Sequence, residues 1–149
     1  GFVTPASWLT SNYATALQHL LMNGLRLVAI VASSAEAFFP QVQVNAVLLV
    51  AERVDSNDCE RTSPLRFVCL KRPIASLVED KDGPWEGIVR VADSILDADE
   101  SYEDAIMRVT LVPLASERNA LLSDPTTPRN WSKFLRAPLS YYRLFGDRA

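Results

Sequence analysis

The sequence predicts an α/β fold, and three observations predict it. Two apolar runs, Leu25 to Ala32 and Val44 to Val50, read as central strands buried on both faces. Two stretches repeat apolar residues at helical spacing: Tyr13, Leu17, Leu20 and Leu21, then Ile88, Val91, Ala92, Ile95 and Leu96. Strand-like and helix-like segments therefore alternate along the chain, as in domains where helices cover a sheet. Charge supports the same reading. Of fifteen basic and eighteen acidic residues, only Arg26 and Glu36 fall in the first fifty. A segment so poor in charge must be buried in protein or in lipid. A membrane span needs about 20 consecutive apolar residues. Thr10, Ser11, Asn12, Gln18, Asn23, Gln41 and Gln43 interrupt every run, so the segment reads as protein interior.

Taken in order, Phe2-Val3-Thr4 is a short strand that Pro5 ends. Thr10, Ser11 or Asn12 can cap the first helix, and Gly24 is placed to stop it. The polar-aromatic connection from Ser33 to Pro40 suits a hairpin-like return between the two long strands, not a full crossover helix. Residues 55–64 form a charged loop, and Leu65 to Leu70 is a further strand. One or two helical turns are expected around Ile74 to Val78. A stronger helix starts near Pro84, where proline is tolerated in the first turn. Met107 to Val112 alternates as a strand, and Ala115 to Leu122 is a short helix. Asp124-Pro-Thr-Thr-Pro128 is the clearest linker. An aromatic and basic segment follows it. Three stretches are thus expected: 1–72, a connector at 73–125, and 126–149.

The net charge of −3 conceals two opposite regions. Residues 79–104 hold ten acids against Lys81 and Arg90, whereas residues 126–149 hold Arg129, Lys133, Arg136, Arg143 and Arg148 against Asp147. The acids are scattered and lack histidine, so they read as a solvated helix surface and no metal site is expected. Cys59 and Cys69 fit neither a redox pair nor a zinc knot, which favours a reduced, cytoplasmic setting. His19 is the only histidine, so no Ser/His/Asp or Cys/His arrangement can be assembled. The opening lacks a basic head and a small-residue cleavage site, so no signal peptide is expected.

Four segments in order carry a family resemblance. They are Gly1-Phe-Val-Thr-Pro-Ala-Ser-Trp-Leu9 before a helix; Ala37-Phe-Phe-Pro40 leading into Val42 to Val50, with Val44-Asn45 at its centre; Leu65-Arg-Phe-Val-Cys-Leu-Lys71; and Asn130-Trp-Ser-Lys-Phe-Leu-Arg-Ala-Pro138. Together they resemble the part of adenine-specific DNA methyltransferases that follows the catalytic Asn-Pro-Pro-aromatic motif, above all in large fused type II restriction-methylation enzymes and phage-defence methylases. The match touches most of residues 1–72, weakens over 73–125 and returns at 126–140. It implies the second half of a Rossmann-like, S-adenosylmethionine-dependent methyltransferase sheet, followed by an α+β connector and the start of target recognition. The catalytic tetrapeptide and the acidic-glycine cofactor loop are not in this sequence. The resemblance therefore implies a fragment inactive alone, completed by the N-terminal half that holds S-adenosylmethionine, and acting on double-stranded DNA. Gly1 without a methionine is compatible with a chain trimmed from a longer one. The alternative is a non-catalytic DNA-binding or structural module of a restriction or defence complex.

Methylating the exocyclic amine of adenine requires the base to leave the duplex, and an aromatic face can receive it. Phe39 is the residue carried over to that platform, with Phe38 the alternative and Pro40 stiffening the loop. Spacing alone would pack both phenylalanines under the sheet. Thr4, Pro5 and Trp8 follow a strand end, where open α/β sheets place ligands. Trp8 alone reads better as a core anchor. Asn45 either orients the aromatic loop or bonds across the sheet. In the tail, Lys133 and Arg136 are the first candidates for DNA phosphates, then Arg129 and Arg143. The competing reading packs Trp131, Leu135, Leu139 and Tyr142 inward and leaves those charges solvated.

Overall fold

The computed structural model describes residues 1–11, 13–41, 44–53, 63–79, 83–124, 126–127 and 129–145, apart from the side chains of Arg143 and Phe145. Asn12, Val42, Gln43, residues 55–62 of the expected charged loop with Cys59, residues 80–82 of the acidic stretch, Pro125, Pro128, Asp147 and Arg148 lie outside these residues, as does the side chain of Arg143. The described chain is a mixed α/β fold. Strands β1 (Phe2–Pro5), β2 (Leu25–Ser33), β3 (Ala46–Arg53), β4 (Leu65–Leu70), β5 (Tyr102–Glu103) and β6 (Met107–Val112) form one sheet in the order β1-β3-β2-β4-β6-β5. A 3-10 turn (Ala6–Leu9) and α1 (Ala14–Gly24) join β1 to β2. Helices α2 (Ile74–Val78) and α3 (Pro84–Leu96) lie between β4 and β5. After β6 come α4 (Leu114–Ser123), α5 (Ser132–Arg136) and α6 (Leu139–Phe145).

Strand direction follows from the connections. The short return from β2 to β3 makes them an antiparallel pair, as its length predicts. β1 is also antiparallel to β3, so β1 and β2 run the same way with β3 inserted between them. β4 is parallel to β2, and β6 and β5 then add antiparallel. The two-residue strand β5 has no counterpart in the sequence reading, because Tyr102-Glu103 is too short to show alternation.

Two cores lie on opposite faces of the sheet. On one, Leu27, Ile30, Val47, Leu49, Leu65 and Phe67 pack under Trp8, α1, α4 and Trp131. A β-bulge between Leu27 and Ala29 makes this possible. The extra residue resets the alternation, so Leu27 and Ile30 both reach the same core. On the other face, Val31, Val68, Leu70 and Val109 meet Leu77 of α2 and Ile95 of α3. The first core draws on residues from 1–72, 73–125 and 126–149 alike.

Both helical stripes read from the sequence are displaced. In α1 the buried line is Ala14, Gln18, Leu21 and Met22, while Tyr13 and Leu20 are exposed. The cause is Gln18, which turns inward: its Nε2 donates to the Arg129 carbonyl at 2.8 Å and its Oε1 accepts from the Arg129 N–H at 3.2 Å. An inward glutamine can replace an apolar residue only when both ends of its amide are bonded. In α3, Gly87, Val91 and Ile95 face inward, while Ile88, Ala92 and Leu96 are exposed. Gly87 sets this rotation, because its missing side chain lets α3 lie against the Val78 backbone. Gly24 ends α1 without a positive φ; the helix runs straight into β2.

Candidate functional site

A cavity of about 460 Å³ opens at the carboxyl ends of β1, β2 and β4. Ligands in open α/β sheets gather at that end, because the chain leaves the sheet there and loops can be varied freely. The N-terminal ends of antiparallel β3 and β6 reach the same rim, bringing Asn45, Ala46 and Arg108.

The loop after β2 forms one wall and is held by short polar contacts. The Ser33 hydroxyl oxygen accepts the N–H groups of Ala35 and Glu36 at 3.2 and 3.1 Å, which turns the chain as β2 ends. Ser34 N–H and its hydroxyl both donate to the Leu70 carbonyl, at 2.8 and 3.0 Å. The Glu36 carboxylate accepts the Ile74 N–H at 2.7 Å, tying the loop to the first turn of α2. Phe38 leaves this braced turn half-buried in the cavity wall. Phe39 is 45% exposed and is not among the lining residues, and Pro40 is exposed.

Charged side chains also line the cavity. Lys71 Nζ donates to the Asp104 carbonyl and pairs with Glu103, both at 2.7 Å. Arg108 is 8% exposed; its Nη2 donates to the Leu135 carbonyl at 2.5 Å and its Nη1 stands 3.5 Å from Glu103. Its Nε is buried without a partner among the described residues. The Lys71 hydrogen bond holds the Glu103 carboxyl below its ordinary range against the opposing pull of burial, with Arg108 adding to the effect. Arg136, at the end of α5, completes the wall, is exposed, and forms no hydrogen bond or ion pair among the described residues.

The cavity brings together three of the residues expected from the sequence: Phe38, Asn45 and Arg136. The side chain of Asn45 is exposed and bonds to nothing among the described residues, while its carbonyl accepts the Ala6 N–H at 2.7 Å. Thr4 and Pro5 end β1 beside this rim without lining the cavity. Trp8 is turned away into the core at 3% exposure, its indole N–H donating to the Thr4 hydroxyl at 2.9 Å.

The tail divides into structural and solvent-facing parts. Trp131 is fully buried, with ring centroids 5.9 Å from Trp8 and 6.1 Å from Phe67. Its indole N–H donates to Glu117 at 2.8 Å. Arg129 grips the same carboxylate with two nitrogens, at 3.1 and 3.2 Å. The guanidinium of Arg129 is thereby committed to holding the tail on α4. Lys133 lies 5.0 Å over the Phe134 ring, and its amine is pulled below its ordinary value by burial first and by Arg129 next. Only Arg136, of the tail cations whose side chains are described, belongs to the cavity wall.

Sequence reasoning missed Lys71, Arg108, Cys69 and Ser33. Arg108 did carry a signal, since a charge inside an otherwise buried strand needs a partner or a ligand. Among the described residues no helix is long and apolar enough to cross a membrane, and no group of three or more His, Cys, Asp or Glu residues could hold a metal ion. No protein-family model matches this sequence, and no curated protein matches it.

Proposed function

We propose that the chain is the base-binding half of an adenine-specific DNA methyltransferase of the restriction-modification type, inactive alone. The observation that carries this reading is the cavity at the carboxyl ends of the parallel strands, with Phe38 in its wall and the Phe38-Phe39-Pro40 loop beside it. Strand direction supports it. β1 and β2 are parallel with β3 antiparallel between them, as suits the finishing half of a Rossmann-like methyltransferase sheet. β1 stands at the sheet edge with Phe2 59% and Val3 51% exposed, an edge that a preceding half-sheet would cover.

In this reading a flipped adenine enters the cavity and stacks on Phe38. Unstacking costs a few kcal/mol, and an aromatic face returns about 1–3 kcal/mol. Residues of this chain receive and orient the base. S-adenosylmethionine, bound by the preceding half, supplies the methyl group. The cationic wall of Lys71, Arg108 and Arg136 is poorly suited to a positively charged sulfonium, which agrees with cofactor binding elsewhere.

The test joins the chain to a cofactor-binding half and measures methyl transfer to duplex DNA. Phe38→Ala is expected to lower transfer roughly 5- to 150-fold, the span of a lost 1–3 kcal/mol stacking contact. Phe39→Ala is expected to act more weakly, because its ring lies outside the wall. Unchanged transfer in both variants would refute the assignment. Calorimetric titration of the chain alone with S-adenosylmethionine is expected to show no tight binding. Tight binding would contradict the division of labour.

A further inference from the structure

We propose that the cations lining the cavity, Arg136 with Arg108 and Lys71, form an anion seat for a nucleotide phosphate. The inference rests on the base-binding reading for the identity of the nucleotide, but not for the anion site itself. Lys71, Arg108 and Arg136 line the cavity, and Glu36 is the one carboxylate among the lining residues. Glu103 bridges Lys71 and Arg108 and fixes their positions. With both carboxylates counted, one positive charge remains in excess, and Arg136 carries it with no partner among the described residues.

Two further features suit an oxyanion. The Ser33 hydroxyl already accepts two N–H groups, so its own proton is left to donate. The guanidinium of Arg136 offers a planar fork that matches two phosphate oxygens. Phe38 stands in the same cavity, so one nucleotide can place its phosphate on the cations and its base on the ring.

Cys69 also lines the cavity and is a free, half-buried thiol, which supplies a direct readout. In a Cys59→Ser background, the rate of Cys69 alkylation is followed with increasing dAMP, inorganic phosphate or deoxyadenosine, and affinities are checked by calorimetry. dAMP is expected to protect Cys69 best, with inorganic phosphate competing against it. Arg136→Gln, an exposed change compatible with folding, is expected to weaken dAMP and phosphate on the order of tenfold while leaving deoxyadenosine unchanged. If phosphate protects and deoxyadenosine does not, the anion seat stands and the base-binding reading fails. If dAMP and phosphate never protect Cys69, or if Arg136→Gln binds them as tightly as the parent, the anion seat is refuted.

Discussion

Glu117 is the residue whose loss should cost this fold most for its size. It is 4% exposed and accepts three hydrogen bonds, one from the Trp131 indole and two from Arg129. Glu117→Gln removes the charge and turns one acceptor into a donor. An amide oxygen at the Oε2 position keeps the Trp131 N–H and Arg129 Nε, and Arg129 Nη2 is left facing an N–H. A lost charge-assisted bond of this kind is worth about 1.5–3 kcal/mol. With a urea slope of about 1–3 kcal/mol per molar, the midpoint should fall by roughly 1 M. Glu117→Ala leaves the buried Trp131 N–H without an acceptor and turns the partly exposed Arg129 guanidinium to water, and should cost about 2–3 kcal/mol. That is a large part of the roughly 5–15 kcal/mol that holds a domain together. Urea unfolding followed by tryptophan fluorescence would measure both. The background should be Trp85→Phe, because Trp85 is 69% exposed and reports on solvent instead of the core. A midpoint for Glu117→Gln indistinguishable from the parent would refute the reasoning. It would mean that the tail stays on α4 by apolar packing alone.

Two further predictions concern acid and glycine. Glu103 is held ionised by Lys71, so its folded carboxyl titrates below the unfolded one. Its contribution is therefore complete above the unfolded value, near 4.5, and is lost as pH falls through the folded value. Urea midpoints of the parent and Glu103→Gln should differ at pH 7 and converge below the usual carboxylate range. A constant difference would contradict this. At Gly87, an added Cβ would lie 2.2 Å from the Val78 carbonyl oxygen, whereas at Gly24 it would meet nothing within 4 Å. Gly87→Ala should destabilise by about 1–3 kcal/mol and Gly24→Ala should stabilise by about 0.4–1 kcal/mol, as thermal melts would show.

The strands were legible in the sequence for a plain reason. Leu25 to Ala32 and Leu65 to Leu70 are short, largely apolar runs rich in β-branched and aromatic residues, broken only by Arg26 and Arg66. The helix faces were less legible, because a polar residue can be drawn inward by a partner far along the chain. Nothing near Gln18 announces that its amide will bond residue 129. The same limit governs the site. Asn45 stands out as a polar residue in an apolar run, whereas Phe38 enters only as the alternative to Phe39 through the family resemblance. Lys71 and Arg108 come together only because β4 and β6 pair with Cys69 opposite Arg108. Arg129 and Arg136 look alike in sequence, and only the position of Glu117 commits the first to structure.

The bonds between Gln18 and Arg129 span 111 residues. They bear on the order in which a growing polypeptide can fold. Trp8 and Phe67 have a shared neighbour, Trp131, that leaves the ribosome long after them. Until it does, the sheet lacks the cover of its largest aromatic, and Gln18 lacks both its bonds. Contacts this distant slow folding and prolong the exposure of apolar surface. Released chains ending near residue 125 should therefore be far more sensitive to protease than the full chain, which carries Arg129 and Trp131.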